Sequence, residues 1–284
     1  MLFSAVVGVG TQLLAATCAV LLLAAIGLVS LDRRGPGVSA RKAFVTLFIL
    51  AGAVAGYNSG RVYKLFRGSK WRRNTMTTAL LFPGLAVATI AVIDAAPASQ
   101  DGYTSAAATS SFLVLLLLWL GLLTPLVLVG AFHGYKKEVI SVPTRTNQIP
   151  RQVPPGPWYL RPLPAALLGG LVPYAAAAPH LPYILDALWQ HQHLAFVWAP
   201  VLVLGMVVAM CAEVAVLVVY KQLCREDYRW WWRGFAVAGA SALYLFMHAA
   251  SYGNTALGLH VSPLRVVSVC VMTMLPVQES RVLQ

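Results

Sequence analysis

Seven long apolar stretches, with every Lys and Arg lying outside them, leave this chain one kind of environment in which it can fold. The stretches run Leu2 to Val29, Ala43 to Gly60, Thr75 to Ile93, Ala107 to Ala131, Pro164 to Leu185, Leu194 to Val219 and Phe235 to Tyr252, each of 17 or more residues. An α-helix rises ~1.5 Å per residue, so about 20 residues cross a ~30 Å hydrocarbon core. The expected fold is therefore all-α: a polytopic transmembrane helical bundle with seven clear spans and a weak eighth over Val261 to Val277. Residues 1–253 form the membrane domain in this reading, and residues 254–284 an atypical tail.

Charge orients the bundle. Gaps two, four and six between the stretches hold 6, 5 and 4 Lys plus Arg, against 4, 0 and 0 in gaps one, three and five. The positive-inside rule places the even gaps and the N-terminus in the cytosol. With 59% hydrophobic and 11% charged residues and a mean hydropathy of +0.72, the composition lies outside the range of soluble domains. A formal charge of +12 could suggest nucleic acid. The basic residues instead flank span ends, where they meet anionic headgroups, so no nucleic-acid partner is expected and the lipid bilayer is the first partner.

The first stretch has no basic leader and is too long for a signal core, so it is expected to stay as a helix. Cys18 and Cys211 lie inside spans, Cys224 at a cytosolic edge and Cys270 in the tail, which makes no lumenal disulfide set.

Two cytosolic segments stand out. Residues 132–163 carry Pro143, Pro150, Pro154, Pro155, Pro157 and Pro162, which exclude a continuous helix and favour an extended path. A connector over the cytosolic end of the bundle is the favoured reading, and a docking surface for cytosolic trafficking factors the other. The sixth gap reads Tyr220-Lys-Gln-Leu-Cys-Arg-Glu-Asp-Tyr-Arg-Trp-Trp-Trp-Arg233. Its tryptophans suit the headgroup level, and Glu226 and Asp227 can pair with Arg225, Arg229 or Arg233.

These segments also carry a resemblance. Arg145-Thr-Asn147-Gln148-Ile-Pro150-Arg151-Gln152, with Gln222-Leu-Cys and Glu226-Asp227-Tyr228-Arg-Trp230-Trp231-Trp232-Arg233, resembles the cytosolic loops of the nonaspanins, the transmembrane nine superfamily. Gly60-Arg61 with Tyr63, Trp71, Pro83-Gly84, Trp119, Pro125, and Ser241-Ala242 with Tyr244 follow in the family's order. The likeness covers roughly residues 1 to 253, as family spans two to eight. Family members also carry a lumenal domain ahead of this region and a final span with a lysine-containing tail after it. A shortened gene product is the expectation that follows.

The resemblance implies a multi-pass protein of Golgi and endosomal membranes that assists sorting, localisation or surface delivery of other membrane proteins. Cargo with glycine-rich transmembrane segments is the implied partner, and neither catalysis nor a cofactor is implied. From the residues themselves, Gly52, Gly56 and Gly60 stand four apart on one helix face, a ridge for close packing of a neighbouring helix or of cargo. Packing within the bundle is the favoured use. Glu213 is the one acidic residue well inside a span, so it is expected to face the bundle, be protonated or have a partner. A secondary transporter or channel using Glu213 is the alternative function. His180, His191 and His193 lack a completing ligand set, so no metal is expected, and no nucleophile or phosphate-loop motif is present. A seven-helix receptor, with its N-terminus outside, would put the basic gaps on the wrong side.

Overall fold

The computed structural model describes residues 1–30, 38–94, 117–140, 152–153, 157–189 and 198–256. Its helices are α1 (Leu2–Ala25), α2 (Ala40–Leu50), α3 (Gly52–Leu65), α4 (Trp71–Asp94), α5 (Thr124–Lys136), α6 (Pro162–Ala177), α7 (Leu181–Trp189), α8 (Trp198–Leu223) and α9 (Trp231–Ala256). A two-residue parallel pairing, β1 (Val29–Ser30) with β2 (Val38–Ser39), joins α1 to α2. The helices sort into two compact units, one of the residues up to Val142 and one from Pro143 to Val261.

Five helical segments are long and apolar enough to cross a membrane: Leu2–Ala25, Lys42–Leu65, Pro162–Leu185, Trp198–Leu223 and Trp231–Tyr252. The all-α membrane class stands, but the expectation of seven clear spans is corrected to these five among the described residues. The third stretch is helical throughout, within α4. That helix opens on Trp71-Arg-Arg-Asn-Thr, and the run after it carries no charge until Asp94. Of the fourth stretch only the part from Leu117 is described, and the weak eighth lies outside the described residues altogether.

Small residues fill the inside and large apolar ones face out. On α1 the buried face is Ser4, Ala5, Gly8, Val9, Gln12, Ala16, Val20 and Ala24, spaced at helical intervals, while Leu2, Leu14 and Leu22 are exposed. That inversion suits lipid, because tails solvate leucine well and helix association then rests on close backbone packing. The second span breaks at Ala51, where α2 ends and α3 begins. Near the break, Gln12 Nε2 donates to the Phe48 carbonyl at 2.9 Å. Lipid offers no donor of its own, so such carbonyls need an internal partner.

Proline sets the other irregularity of the first unit. Pro125 has no N–H to give, and ahead of it the chain winds as a π-helical turn over Trp119–Leu123. The Thr124 hydroxyl donates to the Trp119 carbonyl at 3.1 Å, and the Trp119 indole donates to the Ala79 carbonyl on α4 at 3.0 Å. Leu123 and Val127 are thereby set against Ala79, with Phe48, Ile49 and Trp119 around them.

In the second unit α6 offers Ala165, Ala166, Gly169, Gly170, Pro173 and Ala177 to its neighbours, again a small-residue face. A Cβ at Gly170 would come within 2.7 Å of the Ser241 amide nitrogen on α9, so these two backbones touch.

Candidate functional site

The glycine ridge is occupied. A Cβ on Gly56 would collide with the Val127 carbonyl and come within 2.7 Å of the Ala131 nitrogen, both in the backbone of α5. A Cβ on Gly52 would meet the Leu123 side chain at 2.6 Å, and one on Gly60 the Ala131 carbonyl at 3.3 Å. The fit is mutual: a Cβ on Gly130 would collide with the backbone at Ala53, and one on Gly134 would come within 2.5 Å of the Tyr57 carbonyl. Two small-xxx-small faces therefore interlock, and Gly8 of α1 closes on Ala55 and Ser59 from another side of α3. Gly130 and Gly134 were missed from sequence, although their own four-residue spacing was a readable sign.

A polar hub missed from sequence sits beside this ridge. Asn74, buried on α4, accepts from the Ser4 hydroxyl at 2.6 Å. It donates to Ser59 Oγ at 2.9 Å and to the Tyr135 hydroxyl at 3.1 Å. Ser59 also shares a hydrogen bond of 2.7 Å with Thr78, whose hydroxyl bonds the Asn74 carbonyl at 2.9 Å. One amide thus ties α1, α3, α4 and α5. A buried amide is tolerated only when its donors and acceptor are used, as here.

One end of α5 is held by cations from α3. Lys64 Nζ donates to the carbonyls of Tyr135 at 2.9 Å and Lys137 at 2.6 Å, and an Arg61 guanidinium nitrogen donates to the Glu138 carbonyl at 2.6 Å. These are the orphan carbonyls of a helix C-terminus, where positive charge is also favoured by the helix dipole. Arg61 and Lys64 belong to the second gap and Lys137 and Glu138 to the fourth, so these gaps share one end of the unit, as the charge alternation requires.

In the second unit, the turn from α8 to α9 is built on Asp227. Its side chain is 6% exposed, and the carboxylate pairs with Arg233 at 2.8 Å and with Arg229 Nε at 3.3 Å. The Arg229 amide also donates to it, at 3.2 Å. Burial pushes this carboxyl up, but the Arg229 hydrogen bonds and the Arg233 and Arg229 charges outweigh burial and hold it below the usual value. Glu226 sits at φ 62°, the left-handed residue that ends α8, and the Asp227 amide turns back to the Gln222 carbonyl. The Gln222 side-chain amide, buried five residues earlier, finds no hydrogen-bond partner among the described residues, nor does one Arg225 guanidinium nitrogen.

The tryptophans flank this turn. Trp230 and Trp231 meet edge to face at 6.3 Å, Trp232 meets Phe235 at 6.0 Å, and Tyr228, Trp230 and Trp232 are exposed. Arg145, Asn147, Gln148, Pro150 and Arg151, together with His191 and His193, lie outside the described residues.

Glu213 is exposed on α8 and has no ion-pair or hydrogen-bond partner among the described residues. The exposed face of that helix runs Leu202, Gly205, Val208, Ala209, Ala212, Glu213, Val216, Leu217 and Tyr220, at helical spacing. None of its most apolar window is buried, and a Cβ added at Gly205 would meet open space. Among the described residues no three His, Cys, Asp or Glu side chains gather to hold a metal.

Residues 1–261 match the family model described as Endomembrane protein 70. Transmembrane 9 superfamily member 9 of Arabidopsis thaliana is 38% identical over 251 residues, which are 88% of this chain and 38% of that protein. Human Transmembrane 9 superfamily member 2 is 36% identical over 252 residues, 89% of this chain and 37% of the relative. Human member 4 is 34% identical over 252 residues, 89% and 39% of the two chains. The chain thus spans about two fifths of the length of the relatives it matches, and no solved structure matches it. With the loop motif, the interlocked glycines and the helical membrane fold in place, the match over residues 1–261 means that this chain belongs to the Endomembrane protein 70, or transmembrane nine, family of multi-pass membrane proteins.

Proposed function

We propose that this chain serves as a non-enzymatic membrane module that assists the sorting and surface delivery of other membrane proteins in Golgi and endosomal membranes. The observation that carries the reading is the exposed face of α8, where the small residues Gly205, Ala209 and Ala212 stand beside Glu213, which has no partner among the described residues. A small-residue face lets another helix backbone come close, and a carboxyl among apolar residues favours a client helix that brings a hydrogen-bond donor. A glycine-rich transmembrane segment of a cargo protein has the matching shape. The interlocked ridge at Gly52, Gly56 and Gly60 then keeps α3 on α5, while α8 takes the client. The Arg145 to Arg151 loop and the Glu226 to Arg233 turn are the surfaces offered to cytosolic trafficking factors.

The test uses a reporter with a glycine-rich transmembrane segment in cells that express the chain. Gly205→Leu with Ala209→Leu is expected to lower surface delivery several-fold at unchanged abundance of the chain. Glu213→Gln is expected to lower it less, since an amide still makes hydrogen bonds. Unchanged delivery in the double leucine variant, at normal abundance, would remove the α8 face from consideration.

A further inference from the structure

The geometry points to a binding site for the phosphorylated headgroup of an anionic membrane lipid at the shared end of α3 and α5. A recess of about 800 Å³ opens there, with Arg61, His133, Lys136 and Lys137 around it. Among the described residues Glu138 is the one carboxylate in the lining, set against the three permanent cations Arg61, Lys136 and Lys137. The Lys136 and Lys137 ammonium groups have no carboxylate partner among the described residues, and both side chains are exposed. Arg61 spends one guanidinium nitrogen on the Glu138 carbonyl, which leaves its remaining donors for a ligand. His133 bonds the Val129 carbonyl through Nδ1 at 2.9 Å, so Nε2 is the ring nitrogen left for a proton or a ligand.

The recess is held open by the chain itself. Lys64 and Arg61 grip three carbonyls of the last turn and the exit from it, those of Tyr135, Lys137 and Glu138, and so fix the segment that leaves α5. The lysines are thus presented from an ordered backbone.

Shape and place favour a lipid over a soluble anion. Val139 and Ile140 complete the rim and are 51% and 47% exposed. A phosphate ester held by the cations would lay its glycerol and acyl portion on these two side chains. Arg61 and the 133–140 segment fall in gaps two and four, on the side the charge pattern places in the cytosol, where anionic lipids are concentrated. Basic recesses between membrane helices on that side suit phosphorylated headgroups.

The test places the full chain in phosphatidylcholine nanodiscs and titrates short-chain phosphatidylinositol monophosphate, with bound lipid counted by native mass spectrometry. Saturable binding is expected, weakened at least tenfold in Lys136→Gln/Lys137→Gln. Both side chains are exposed, so an unchanged melting temperature is the accompanying control. Lys70→Gln, an exposed cation on the same side and outside the recess, is expected to change affinity less than twofold. Equal weakening by Lys70→Gln would show diffuse surface charge, and displacement by an equal concentration of inorganic phosphate would show a soluble-anion site. Either result, or no saturable binding to the native chain, overturns the proposal.

Discussion

Gly56 shows what one hydrogen atom in place of a methyl group decides in this protein. Backbone cannot retreat as the end of a side chain can, so the cost of a Cβ depends on what it meets. Gly56 meets backbone of α5, Gly52 the flexible tip of Leu123, and Gly60 a carbonyl at 3.3 Å. Alanine substitutions are therefore expected to destabilise in the order Gly56, Gly52, Gly60. The largest loss should be about 1 to 3 kcal/mol, the usual range for overpacking. Gly205→Ala, with open space around it, should be neutral or slightly stabilising, since alanine is the better helix former. Thermal unfolding in detergent checks the series, and a Gly56→Ala melt equal to that of Gly205→Ala would contradict the interlock. The ridge was legible because its glycines repeat every four residues. Asn74 was not, because its value lies in three partners 15 to 70 residues away in sequence, Ser59, Tyr135 and Ser4.

At the scale of elements, the turn between α8 and α9 rests on one carboxylate. Its folded-state affinity for a proton is lower than that of a free aspartate, whose reference value is 3.8. The Asp227 stabilisation is thus complete above about pH 4 and is lost as pH falls through the depressed folded value. Asp227→Asn should lower the melting temperature at neutral pH, and the gap from the native chain should close in acid. A gap that stayed constant from pH 7 to pH 3 would show that the ion pairs contribute nothing. The pairing of Asp227 with arginine was foreseeable from the segment's composition. Which arginines it would choose was not: Arg229 and Arg233 do so because α9 begins at Trp231 and brings Arg233 back over the turn.

For the whole molecule, alternating charge predicts that the second and fourth gaps face the same side, and the Lys64 and Arg61 clamps put them there. Single cysteines at Lys70 and Val139, in a chain freed of its native cysteines, should both react with an impermeant maleimide only when the cytosolic side is opened. Labelling of the two from opposite sides would break the topology. Breaks within the apolar stretches were less legible than the stretches themselves. A hydropathy reading sees continuous apolar runs, whereas the backbone interrupts the second at Ala51 and changes the pitch of the fourth at Trp119–Leu123.

By itself the sequence determined the environment, the all-helical class and the family. Those follow from local composition and from motifs that need no partner to be read. Tertiary structure alone decided that the glycine ridge closes on α5, that Asn74 joins four helices, that Glu213 faces outward, and that Arg61 and the 133–140 segment share a recess. Each of these depends on which faces meet, and helices in lipid choose their faces by backbone fit and hydrogen bonding between residues far apart in the chain.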